Sequence, residues 1–188
     1  DKKLWQKRKV FALLSREIND LHGKTLGIIG KGSIGMKVGR IAKAFGMNIN
    51  YFSVRNYKKT QFLKFLSSLD YLSVHCPLNE KTKDLITIKE LKIMKKNMIL
   101  INTARGGIVN ENDLTKALKQ KIIAGAGIDV TTSEPPKKSH AYYSILNEAN
   151  FIWTPHTAWA SNETLQEAIN QLIKNINSFY KGKKRNIV

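Results

Sequence analysis

Apolar positions along this chain alternate between two spacings, one of helical period and one of short continuous runs, and the alternation is regular. Over residues 1–19, Leu4, Trp5, Phe11, Leu14 and Ile18 stand among lysines and arginines as on an amphipathic helix. Residues 25–29 form a short apolar run that ends in glycine and predicts a strand, with a helix following over 33–45. Strands are expected at 48–52 and 71–74, with a short helix at 61–66 between them. Thr87-Ile-Lys-Glu90 has the form of a capping box, the start of another helix. Further strands are predicted at 98–101, 122–130 and 150–153, a helix at 111–118, and a long closing helix at 161–180.

Strands separated by helices make βαβ units with right-handed crossovers, and these build a parallel sheet covered on both faces. The fold class is therefore α/β, a doubly wound parallel sheet. The least regular stretch, 131–143, contains Pro135, Pro136, Lys137 and Lys138 and reads as a loop.

Composition narrows the function classes. With 188 residues the chain has the length of one domain with a proper core. No run reaches the roughly 18 uncharged apolar residues of a membrane span, so no membrane partner is expected. The single cysteine, Cys76, excludes an internal disulfide framework and fits a reducing, cytoplasmic setting. Lys plus Arg number 32 against 14 Asp plus Glu, a net charge of +18. These bases are spread over nearly every segment, and the densest cluster is only Lys181, Lys183, Lys184 and Arg185. Without a stripe of bases interleaved with aromatics, the charge reads as a solvated surface that attracts small anions, and nucleic-acid binding ranks last. One Cys and four scattered His offer no zinc-ligand spacing, so no metal is expected.

Candidate chemistry starts at Gly30-Lys31-Gly32-Ser33-Ile34-Gly35, a G-x-G-x-x-G pattern between a predicted strand and helix. In a dinucleotide site the first glycine makes the turn, the second admits the pyrophosphate and the third lets helix and strand pack. The helix N-terminus then receives the anion. A nucleoside-triphosphate loop of the G-x-x-x-x-G-K-[ST] type is excluded, because position 25 is Thr and position 32 is Gly. At the end of the second strand, where an acid ordinarily binds the ribose of NAD, stand Ser53 and, two residues on, Arg55. That leaves NAD and NADP both open.

Further motifs follow in order: His75-Cys-Pro77-Leu with Thr82, then INTARGGIVNENDL from Ile101, GAGIDVTTSEPP from Gly125, and TPHTAWAS from Thr154. With the glycine loop they resemble the D-isomer-specific 2-hydroxyacid dehydrogenases, and within them the glycerate dehydrogenase (hydroxypyruvate reductase) type. The resemblance implies an oxidoreductase that passes a hydride between NAD(P) and a small 2-hydroxy or 2-oxo acid. It assigns Arg105 to gripping the substrate carboxylate, His156 to acid/base work and Glu134 to bracing the imidazole. It sets Asp129 at the nicotinamide end, and Cys76, Pro77, Thr103 and Ala104 beside the cofactor with Thr82 nearby. Trp159 becomes part of the pocket wall. His22, His75 and His140 belong to no such constellation, although His75 adjoins the cofactor segment. Glu134 disfavours the formate dehydrogenase branch, which has Gln there.

The resemblance further implies a connecting helix at 1–20, a dinucleotide-binding domain at 21–160, and a return helix and tail at 161–188. Most of the substrate domain would precede Asp1, and a homodimer is expected. Two other readings stay open: a phosphoglycerate dehydrogenase-like activity, and a non-catalytic module gated by dinucleotide.

Overall fold

The computed structural model describes residues 4–8, 11–12, 18–56 and 58–187. Its strands are β1 (Thr25–Ile29), β2 (Asn48–Phe52), β3 (Tyr71–Val74), β4 (Ile99–Asn102), β5 (Gly125–Ile128) and β6 (Phe151–Trp153). Its helices are α1 (Leu4–Arg8), α2 (Ser33–Ala44), α3 (Lys59–Ser67), α4 (Ile88–Leu91), α5 (Glu111–Lys119) and α6 (Asn162–Tyr180). The strands form one sheet in the order β2-β1-β3-β4-β5-β6, and every pairing is parallel. The expected doubly wound α/β architecture is present.

The sheet is covered on both faces, which is why its inner strands read as continuous apolar runs. Alternation along β1 sends Ile29 into the larger core with Phe62, Leu72, Val74 and Leu100. Leu26 and Ile28 point the other way, onto Ala42 and Met47. Between β2 and β3 the chain changes its direction of travel across the sheet, because β1 has β2 on one side and β3 on the other. Ligands of such sheets settle in the crevice at the carboxyl ends of the strands at this point.

Local signals act as the sequence suggests. Thr87 caps α4 with a complete capping box, its amide donating to Glu90 Oε2 at 2.9 Å. Asn110 caps α5 by accepting from the Asp113 amide, and Ser161 caps α6 by accepting from the Thr164 amide.

Three expectations need correction. Helix α1 covers only Leu4–Arg8, and Phe11 and Ala12 form a bend. Ile18 and Asn19 are not helical either, and the rest of the expected 1–19 helix lies outside the described residues. Strand β5 is shorter than 122–130. The Ile122 amide closes a turn onto the Ala117 carbonyl, so Ile123 is buried beneath the sheet rather than paired within it. Finally, the irregular stretch 131–143 gains a 3-10 turn at Ala141–Ile145.

Candidate active site

The glycine loop leaves β1 at the crevice and turns into α2. Gly30 has φ +104°, and a Cβ there would lie 2.5 Å from the His75 carbonyl oxygen. At Gly35 a Cβ would lie 2.1 Å from the Gly30 carbonyl oxygen. Both positions need glycine for different reasons, one for backbone conformation and one for helix–strand packing. Gly32 faces open space, no side chain caps α2, and Met36 makes the first bond of the helix, to the Gly32 carbonyl. The preceding amides, including those of Ser33 and Ile34, are the donors that a helix end leaves for an anion. This bare, uncapped cradle fits a pyrophosphate.

Asn102, buried at the end of β4, shapes the next turn. Its carbonyl oxygen accepts from the Ala104 amide and its amide donates to the Arg105 carbonyl, both at 3.0 Å. That turn exposes Thr103 and Arg105 to the crevice, and Arg105 Nη1 donates to the Ala104 carbonyl at 2.7 Å.

Beyond β5, Asp129 is buried and its carboxylate accepts from the Thr154 hydroxyl (2.5 Å) and from the amides of Thr157 and Ala158 (2.9 Å each). These contacts grip the residues on either side of His156, which sits at φ +53°. That left-handed conformation is uncommon for a residue with a side chain. Burial alone would raise the Asp129 carboxyl, but the Thr154 hydroxyl, the two amides and the nearby His156 hold it below its ordinary range. His156 Nδ1 pairs with Glu134 Oε2 at 2.6 Å, while Glu134 Oε1 accepts from the Thr131 amide at 2.9 Å. Glu134 is likewise held low: its modest burial is outweighed by the Thr131 amide, by His156 and by Arg105.

These parts surround a cleft of about 1390 Å³. Ile34 and Lys37 line it from α2; His75, Cys76, Pro77 and Leu78 from the loop after β3; Thr103, Ala104 and Arg105 from the loop after β4. Asp129, His156, Ala158 and Trp159 close the far end. Arg105 and His156 thus face the same cleft, and Glu134 stands behind the imidazole, along a smaller apolar hollow bounded by Pro135, Tyr143 and Trp153.

Some predicted residues stand elsewhere. Thr82 is fully buried, its hydroxyl donating to the Pro77 carbonyl at 2.7 Å and accepting from the Asn79 amide at 2.8 Å. It fixes the loop that carries Cys76 and Pro77 and offers no surface to a cofactor. Ser53 and Arg55 lie at the end of β2, where Arg55 borders a separate hollow with Asn79, Glu80 and Lys81. His75 bonds Ser73 Oγ at 2.8 Å, and burial lowers its pKa, favouring the neutral ring. His140, expected to be isolated, has a carboxylate partner: its Nε2 meets Glu111 Oε2 at 2.8 Å. Lys37, Leu78 and Ala158 were not anticipated from sequence; only their nearness to the glycine loop and to the Cys76 and His156 motifs pointed to them.

A family model for the NAD binding domain of D-isomer specific 2-hydroxyacid dehydrogenases matches residues 2–158. The chain belongs to this family. It is 43% identical over 188 residues to the glycerate dehydrogenase of Methylorubrum extorquens, an alignment covering 98% of this chain and 59% of that protein. It is 40% identical over 173 residues to the glyoxylate reductase of Thermococcus litoralis, covering 86% of this chain and 50% of that one. Among solved structures, the NAD-complexed D-isomer specific 2-hydroxyacid dehydrogenase of Lactobacillus delbrueckii ssp. bulgaricus superposes with a TM-score of 0.82 at 31% identity. That match covers 90% of this chain and 57% of the other. The chain thus spans between half and three-fifths of the length of these relatives. Within this dehydrogenase family the cleft lies in the NAD-binding domain, and no helix among the described residues is long and apolar enough to cross a membrane.

Proposed function

We propose that this chain is the cofactor-binding part of a dehydrogenase that interconverts a small 2-oxo acid and its 2-hydroxy acid, with hydroxypyruvate and glycerate the first pair to test. The observation that carries this reading is the placement of Arg105 and His156 on one cleft, with Glu134 bracing the imidazole at 2.6 Å from behind. NAD, when bound, supplies or accepts the hydride. The chain's own residues do the rest. The planar guanidinium of Arg105 suits two-pronged binding of a carboxylate. With Nδ1 tied to Glu134, His156 presents Nε2, which gives a proton to the carbonyl oxygen during reduction and takes it from the hydroxyl during oxidation. The uncapped N-terminus of α2 holds the pyrophosphate, and Cys76, Pro77, Thr103, Ala104 and Trp159 wall the cofactor channel.

The further layout is part of the same proposal: a dinucleotide-binding domain at 21–160, flanking segments at 1–20 and 161–188, and a homodimer in a reducing, cytoplasmic setting. Light scattering on the purified full-length protein tests the dimer. The reaction is tested by a steady-state assay of the full-length protein with hydroxypyruvate, glyoxylate, pyruvate and phosphohydroxypyruvate, following reduced-cofactor absorbance. Turnover of hydroxypyruvate above the others supports the reading. Preference for phosphohydroxypyruvate replaces its substrate, and dinucleotide binding without turnover replaces it by a binding module.

A further inference from the structure

Behind the His156–Glu134 pair the molecule carries a second carboxylate–imidazole pair. Glu111, the first residue of α5, accepts the Thr132 amide on Oε1 at 2.7 Å and the Thr132 hydroxyl on Oε2 at 2.8 Å. Oε2 also meets His140 Nε2 at 2.8 Å. Both side chains are nearly buried, at 12% and 9% exposure. His140 Nδ1 accepts from the Tyr142 amide, so the ring proton sits on Nε2 and points at Glu111. The imidazole is stacked on Trp153 at 5.5 Å and meets the edge of Tyr142 at 4.8 Å. Its orientation is thereby fixed on three sides.

The peptide that Glu111 holds adjoins the one that Glu134 holds, and both lie beside the cleft residues. The amide of Thr131, one residue before Thr132, donates to Glu134 Oε1. From the other direction Gly106, next to Arg105, lies so close that a Cβ would fall 2.0 Å from the Thr131 carbonyl carbon and 2.4 Å from the Thr132 nitrogen. The Thr131–Thr132 peptide therefore lies against the Arg105 turn, and the peptide just before it, joined through the Thr131 Cα, donates to the Glu134 carboxylate. Movement of this peptide by a fraction of an ångström would carry Glu134, and with it the imidazole it braces.

We infer that Glu111 and His140 are positioning residues, a buried clamp on the Thr131–Thr132 peptide that sets Glu134 against His156 and keeps Arg105 in register with both. They touch neither cofactor nor substrate and act through Glu134. The inference rests on the dehydrogenase reading above, since it assigns the clamp a share of that turnover.

The test is a double-substitution cycle in the full-length protein, with hydroxypyruvate and the preferred reduced cofactor. Glu111→Gln keeps the shape of the side chain, but its single acceptor oxygen cannot serve the Thr132 amide on one side and the Thr132 hydroxyl with the His140 N–H on the other, so an NH2 group faces a donor. It is expected to lower kcat about tenfold while changing the cofactor KM less than twofold, and to cost nothing further when Glu134 is already Gln. Thr132→Val, which removes one donor at the periphery, reports independently if Glu111→Gln folds poorly; it is expected to lower kcat in the same pattern. His140→Leu should match Glu111→Gln, and His140→Gln, which restores an N–H donor, should recover part of the loss. Unchanged kcat in both Glu111→Gln and Thr132→Val overturns the clamp. So does a Glu111→Gln loss that multiplies fully with that of Glu134→Gln. If Glu134→Gln itself leaves turnover unchanged, the dehydrogenase reading fails, and the inference falls with it.

Discussion

The backbone amide of Thr157 donates to the buried carboxylate of Asp129 at 2.9 Å, and this bond ends the loop that holds His156 in a left-handed conformation. A positive φ costs a side-chain-bearing residue roughly 1–2 kcal/mol, so the loop must be held by other contacts. Asp129 provides them from the carboxyl end of β5, accepting from the residues on both sides of His156. The imidazole is thus placed by a carboxylate that makes no contact with its ring nitrogens. Asp129→Asn, which can present only one good acceptor oxygen, is expected to destabilise the fold by about 1–2 kcal/mol and to lower kcat. Chemical denaturation and steady-state rates check the two effects separately.

The same carboxylate gives a pH dependence of known sign. Asp129 and Glu134 are both held below their ordinary values of 3.8 and 4.5 in the folded chain. Between those ordinary values and the lower folded ones the unfolded chain binds more protons, so stability falls as pH falls. Their contribution is complete above the ordinary carboxylate range and disappears as pH drops through the folded values. Melting temperatures from pH 7 to pH 3 should decline, and Asp129→Asn should flatten that decline. A variant as steep as the parent would remove Asp129 from the explanation.

Replacing the acid/base pair separates chemistry from binding. His156→Asn is expected to lower kcat by about 10²–10⁴-fold, the usual share of a general acid, with dinucleotide affinity retained. Fluorescence titration with the reduced cofactor measures that affinity. Glu134→Gln keeps a hydrogen-bonding group beside Nδ1 but removes its charge, and should also lower kcat with dinucleotide affinity retained.

Much of this was readable from residue order alone. Strand and helix alternation, the glycine turn and the Arg105, Glu134 and His156 motifs all lie in local patterns, and the sheet carries these motifs to the carboxyl ends of its strands. What could not be read depends on pairings across the fold. Glu111 and His140 are 29 residues apart, one at the start of a helix and the other in an irregular stretch, and no periodicity connects them. Thr82 sits within the cofactor segment, yet its hydroxyl turns inward, because the loop from Pro77 to Asn79 needs its bonds. Ile122 and Ile123 look like strand residues because a turn packed beneath a sheet is as apolar as the sheet itself.

Gly30→Ala tests the cradle. The new methyl would meet the His75 carbonyl oxygen at 2.5 Å in a backbone conformation with φ +104°. A destabilisation of about 2–4 kcal/mol is expected from the clash and the conformational penalty together. Dinucleotide binding should weaken at least tenfold, which isothermal calorimetry would measure.

Cofactor choice should follow the end of β2. Ser53 offers no charge against a 2′-phosphate, and Arg55 borders the same hollow as Lys81. NADPH is therefore expected to compete with NADH, and Arg55→Ala to lower kcat/KM for NADPH about tenfold while sparing NADH. Equal losses with both cofactors would mean that Arg55 does not face the ribose.

Cys76 is 3% exposed on the floor of the cleft, and burial pushes its thiol up to about 11. At neutral pH almost none of it is thiolate, so alkylating reagents must wait for the strand end to open. The rate at which maleimide labels Cys76, followed on its own peptide by mass spectrometry, becomes a clock for breathing of the crevice without any engineered probe.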